Sequence, residues 1–226
     1  IIDSAVSVND SLANAEYNTQ FGDFAGAATG EDGTIVIENE LLAITVSKKG
    51  GHPLSVELKK YKTHDTLPLM LFSGEQNRFS LEFFAKNNRI STQELYFEPS
   101  NRGFSISGED KKTLSMKLYA GPDRYLEYVY SVSGNSYMVD FDINLVGLDN
   151  VIERNTRTLD LHWKSDLPSQ EKSLSTERQN ATIYYRLTNE DVDYLSEGSD
   201  DKEEIQADLQ WVSFKQQFFS SVLIAK

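Results

Sequence analysis

From Thr34 onward, apolar residues recur at every second position. Ile35 and Ile37 alternate with polar or small positions. Leu42, Ile44 and Val46 do the same after a turn at Glu38-Asn39-Glu40. Gly50-Gly51 interrupts the pattern as a bulge or turn would, and Val56 and Leu58 resume it. A period of two puts successive side chains on opposite faces of an extended backbone, so each run predicts a half-buried strand. The clearest pair lies mid-chain. Within 124–133, Leu126, Tyr128, Tyr130 and Val132 share one face. Within 137–146, Tyr137, Val139, Phe141, Ile143 and Leu145 share another, with Asp140, Asp142 and Asn144 opposite. Gly134-Asn135 between them predicts a hairpin closed by a two-residue type II′ turn. Similar alternation occurs at Phe79-Leu81-Phe83, Leu114-Met116-Leu118, Leu159-Leu161-Trp163 and Ile183-Tyr185. Many short strands with no helix–strand alternation predict an all-β sandwich or barrel with little helix.

The two ends differ from this pattern. Residues 1–33 are small and polar, which predicts a flexible tether with one helical turn at most, pinned in part by Tyr17, Phe21 and Phe24. Residues 34–226 then form the β domain. Near the other end, Trp211, Phe214 and Phe218 fall at spacings of three and four, which predicts a helical turn leading into a strand at 220–224. Trp211, Phe214, Phe218 and Phe219 are the candidate packing residues that close the sandwich. The alternative is an exposed aromatic patch that docks a partner or the membrane interface.

Composition narrows the function. At 226 residues, folding buries roughly 70% of the surface of the unfolded chain, and no staples are required. The absence of cysteine excludes disulfides, thiolate metal sites and cysteine nucleophiles. Net charge is −13, with 22 basic against 35 acidic residues, which excludes nucleic acid as a natural partner and confers solubility. No run of 18 apolar residues is present to span a bilayer as a helix. The three histidines, His52, His64 and His162, stand in no zinc or hydrolase motif, and each reads as a surface residue. The acidic stretch 197–204 lacks EF-hand spacing and reads as a solvated loop, so no metal or organic cofactor is expected. Aromatic residues make up 11% of the chain. Exposed on a β-sandwich they would suit sugar stacking, so a carbohydrate-binding or sugar-epimerase-like protein is the competing function. That reading requires His52 or His162 beside a carboxylate in a concave site.

Several segments resemble the periplasmic domain of YidC-type membrane protein insertases in the form carried by Bacteroidetes-type bacteria. They are Ile37-Glu38-Asn39-Glu40-Leu41-Leu42 with Gly50-Gly51, Val56 through Thr63, Asp140-Phe141, Trp163, Gln170-Glu171-Lys172-Ser173 and Trp211 through Phe219. None is a catalytic motif; their order and number carry the likeness across 34–226. The resemblance implies a non-enzymatic domain without cofactors, at the periplasmic face of the bacterial inner membrane. It implies a large twisted antiparallel super-sandwich similar to galactose mutarotases. It implies a membrane anchor before this domain and a bundle of membrane helices after it, the bundle doing the insertion. It further implies that the sandwich continues beyond residue 226, so that C-terminal strands are missing here. The implied partners are membrane-protein clients, Sec translocon subunits and the rest of the same insertase chain.

Overall fold

The computed structural model describes residues 13–152, 159–196, 198 and 202–225. Helix α1 (13–21) runs into a 3-10 segment, Gly22–Ala27. Four strands then make an antiparallel meander: β1 (Thr34–Glu38), β2 (Leu42–Ser47), β3 (Pro53–Lys62) and β4 (Pro68–Ser73). A hairpin follows, β5 (Arg78–Ala85) with β6 (Asn88–Ser91). The short strands β7 (Glu98–Pro99) and β8 (Gly103–Ser105) come next, and β8 pairs in parallel with β1. That contact needs glycine: Gly103 has φ +106°, and a Cβ there would sit 2.3 Å from the Val36 carbonyl oxygen. The first sheet therefore has the order β4-β3-β2-β1-β8.

Three long strands follow: β9 (Lys111–Gly121), β10 (Arg124–Ser133) and β11 (Val139–Val146). They form the second sheet, ordered β11-β10-β9-β7. Strand β12 (Asp160–Lys164) returns to pair with β5, giving a third sheet, β12-β5-β6. A seven-residue helix, α2 (Leu174–Asn180), is capped by the Ser173 hydroxyl, which accepts from the Thr176 N–H. The fourth sheet is ordered β14-β13-β15-β16, from β13 (Thr182–Leu187), β14 (Val192–Ser196), β15 (Leu209–Lys215) and β16 (Ser220–Ile224). The fold is all-β with little helix, and its strands pair almost entirely antiparallel.

The alternating residues form one contiguous core. Ile35, Ile37, Leu42, Ile44 and Val46 from the first sheet join it with Leu114, Met116 and Leu118 from β9 and Leu126, Tyr128 and Tyr130 from β10. Two buried tyrosines carry their hydroxyls to partners: Tyr128 donates to Thr92 Oγ1 (3.1 Å) and Tyr130 to the Gly51 carbonyl (2.7 Å). Phe97 stacks on Tyr128 at 4.9 Å.

Two expectations need correction here. The β10–β11 hairpin forms in the expected register, with Val132 opposite Val139 and Tyr130 opposite Phe141. However, residues 134–138 connect the strands, in place of a two-residue turn. The cause lies in Asn39, which is 1% exposed. Its Nδ2 donates to the Ser133 and Ser136 carbonyls (2.7 Å each), while its Oδ1 accepts from the Leu41 and Leu42 N–H groups (2.8 and 2.7 Å). The longer loop exists to meet this side chain. The second concerns the tether, where the expected pinning by Tyr17, Phe21 and Phe24 is present but the helix exceeds one turn. Residues 13–27 are helical, and Phe21, Phe24 and Ala27 are buried in the core, with Phe24 edge-on to Phe83 at 5.7 Å. The tether expectation for residues 1–12 lies outside the described residues.

Candidate functional site

An apolar concavity lies among the four sheets, lined from each of them. It encloses about 500 Å3. Its floor comes from the apolar faces of its strands, so that core residues such as Leu42, Ile44 and Leu58 also line the groove. Leu58 and Phe72 contribute from the first sheet, Phe141 from β11, Trp163 from β12 and Leu223 from β16. None of the 21 described lining residues is Asp, Glu, Lys, Arg or His, although charged residues make up 25% of the chain. Met138 (64% exposed) and Phe218 (67%) stand at its rim. Tyr61 and Tyr137 also line it; burial first, and then the neighbouring Tyr61, raises the pKa of the Tyr137 hydroxyl. Tyr61 in turn meets Phe219 edge-on at 5.0 Å.

The histidines do not converge on this groove. His64 is exposed and shares its Nδ1 with the Gln170 carbonyl at 3.2 Å. His162 is also exposed, 3.6 Å from Glu82, which Arg89 engages as well. His52 corrects the surface reading: it is 5% exposed, its ring bonds the Asn77 backbone, and its Nδ1 has no partner. Desolvation lowers its pKa. The pairing of a histidine with a carboxylate in a concavity, which sugar epimerisation would require, is not assembled among the described residues. Nor do the described residues contain a His, Asp or Glu cluster able to hold a metal ion. Residues 197 and 199–201 of the acidic stretch lie outside the described residues.

The aromatic segment at the end of the chain folds differently from expectation. Trp211 through Lys215 is the body of β15, with Trp211 opposite Arg186 and Phe214 opposite Ile183, and no helical turn forms there. Spacings of three and four fit a helix, but Leu209, Trp211 and Ser213 also alternate with Gln210, Val212 and Phe214, and pairing on both sides decides for the strand. The four candidate residues consequently part company. Trp211 is half-buried in the sheet. Phe214 packs on Trp163 at 4.4 Å. Phe218 is exposed at the β15–β16 turn, and Phe219 is half-buried against the core and Tyr61. Sequence reasoning missed the groove itself, although its signal was present in strands such as β11 and β12 whose apolar face is only half-covered.

One further junction lies at Gln170, which is 2% exposed. Its Nε2 donates to the Met70 carbonyl (2.7 Å), and its backbone N–H donates to Glu177 Oε1 (2.8 Å). This ties α2 to β4 beside the groove.

The sequence is similar to that of known proteins over nearly its whole length. The family described as YidC periplasmic domain matches residues 34–226. The chain belongs to the YidC periplasmic domain family. Among curated relatives, the membrane protein insertase YidC of Parabacteroides distasonis is 32% identical over 225 residues, covering 99% of this chain and 35% of that protein. The YidC of Azobacteroides pseudotrichonymphae is 32% identical over 226 residues, covering 98% and 36%. That of Phocaeicola vulgatus is 34% identical over 202 residues, covering 89% and 31%. The chain thus spans about a third of the length of these YidC relatives. The Gln170 junction and the β15 aromatics fall within the region matched by the YidC periplasmic domain family.

Proposed function

We propose that this chain is the periplasmic contact domain of a membrane protein insertase, that it works by binding polypeptides, and that it catalyses nothing itself. Membrane proteins undergoing insertion are its clients, and Sec translocon subunits are its partners. The remainder of the same insertase chain holds it at the inner membrane. The family match over 34–226 carries this reading. An uncharged groove whose only ionisable lining groups are tyrosines supports contact in preference to acid–base chemistry. The test is a chimera in which this chain replaces the matching segment of the Parabacteroides distasonis insertase, with the resident copy depleted. Growth and insertion of a multi-spanning protein should persist, and a photocrosslinker in place of Phe218 should capture a Sec subunit or a client. A chimera that reaches the membrane yet captures neither from any position on the groove rim overturns the proposal.

A further inference from the structure

We propose that His52 is the pin of a proton-sensitive clasp, which holds the linker between β12 and α2 while its ring is neutral and releases that linker when the ring takes up a proton. The clasp joins three stretches that are remote in sequence. His52 stands at the end of the β2–β3 turn, directly after Gly50 and Gly51, whose backbones are both left-handed (φ +81° and +64°). One ring nitrogen bonds the backbone of Asn77, in the turn before β5, and the other, Nδ1, has no partner. Asn77 is itself 3% exposed. Its Nδ2 donates to the Gly74 carbonyl (2.8 Å), and its Oδ1 accepts from the N–H of Asp166 in the linker (2.8 Å). His52 thus reaches the linker through one intermediate residue. None of His52, Asn77 and Asp166 lines the groove or belongs to the fourth sheet.

The site fits only the neutral ring. With the proton on the nitrogen that meets Asn77, Nδ1 carries a lone pair and no charge. A second proton would make Nδ1 a charged donor facing Gly50, so close that a Cβ there would lie 2.5 Å from it, with the Gln93 backbone alongside. A buried charge without an acceptor is strongly disfavoured, so the ring must leave, and Asn77 loses its bond. The surrounding groups do not offset this. Lys49 precedes the turn, Glu94 follows Gln93, Glu75 and Arg78 flank Asn77, and Asp166 lies on the linker; all five are exposed. From β10, Tyr130 donates its hydroxyl to the Gly51 carbonyl, and burial keeps that hydroxyl protonated. Burial first, and then the Asn77 bond, act on the ring, and burial draws its pKa below the ordinary histidine value. The clasp is therefore shut above about pH 6.5. Below that, the open form binds a proton that the closed form refuses. The opening constant then rises about tenfold per pH unit until the closed ring itself titrates. His64 meets the same linker at the Gln170 carbonyl, where protonation adds a donor and acts in the opposite sense.

The test is amide hydrogen exchange on the 226-residue chain, read by NMR at about pH 7.5, 6.5 and 5.5 and corrected for intrinsic rates. Protection of the Asp166 and Asn77 N–H groups should fall about tenfold per pH unit below about 6.5. The fall should level off where the His52 ring resonances titrate. At the lowest pH, exchange at these two amides should be indifferent to about 1 M urea, because opening the clasp exposes little surface. The Tyr128 N–H on β10 should instead follow urea as global unfolding does. His52→Gln keeps a side-chain donor for Asn77 but cannot titrate, so the pH slope should vanish, whereas His64→Gln should leave it in place. If His52→Gln fails to fold, the levelling-off and the urea response of the unaltered chain still decide. Equal protection and equal urea dependence at Asp166, Asn77 and Tyr128 would mean that the chain opens only as a whole, and would overturn the proposal. So would a slope that survives in His52→Gln or disappears in His64→Gln, or a His52 ring that titrates while Asp166 stays protected. The clasp goes beyond the contact-domain reading and its test involves no partner, so a failed insertase chimera would leave it standing.

Discussion

At the scale of single residues, the side chains that organise the fold are polar. Asn39, itself 1% exposed, satisfies two N–H groups and two carbonyls at a largely buried site. Asn39→Ala would orphan all four, and each buried orphan costs about 1–3 kcal/mol when water cannot reach it. With partial relaxation, a loss of about 3 kcal/mol is expected in urea denaturation. His52 makes a different prediction. Burial lowers its pKa, so the unfolded chain takes up its proton first as pH falls. The contribution of His52 is complete above its unfolded pKa of about 6.5 and declines as pH falls from there toward the depressed folded value. Urea midpoints at pH 7.5, 6.5 and 5.5 should show this decline, and His52→Leu should flatten it. The turn at Gly50-Gly51 was legible in the sequence. The burial of the histidine after it was not, because the groups that cover it, Asn77 among them, are distant in sequence.

Among the elements, period two was readable wherever one face meets the core, as in β9 and β10, whose alternate residues are fully buried. It failed where both faces are mixed. In β15 the partners that make it a strand, Arg186 and Ile183, lie well upstream, and no local pattern reports them. The N-terminal helix was readable in principle: Tyr17, Phe21 and Phe24 follow helical spacing, and small polar neighbours obscured it. The groove is a gap between sheets and left only an indirect trace in the sequence, the apolar faces of β11 and β12 that are only half-covered. The fourth sheet touches the rest through few ties, of which Trp163 on Phe214 is the closest ring contact. A double-mutant cycle with Trp163→Ala and Phe214→Ala should return a coupling of about 1 kcal/mol. A coupling near zero would mean that the two sheets pack independently.

For the whole molecule, the charge of −13 acts as self-repulsion, which counter-ions screen. Raising sodium chloride from about 20 to about 500 mM, across which the Debye length falls several-fold, should raise the melting temperature. Dialysis against a chelator should leave it unchanged, and a fall of several degrees would place an ion at 197–204. The Asn39 junction has a further consequence, which concerns time. Its two carbonyl partners lie 94 and 97 residues downstream. Contacts so remote in sequence close slowly, because loop entropy must be lost before any bond is gained. A chain delivered N-terminus first presents β1 and β2 long before Ser136 emerges. Throughout that interval the Asn39 amide donates only to water, and the first sheet waits, open to aggregation, for a loop that has yet to be synthesised.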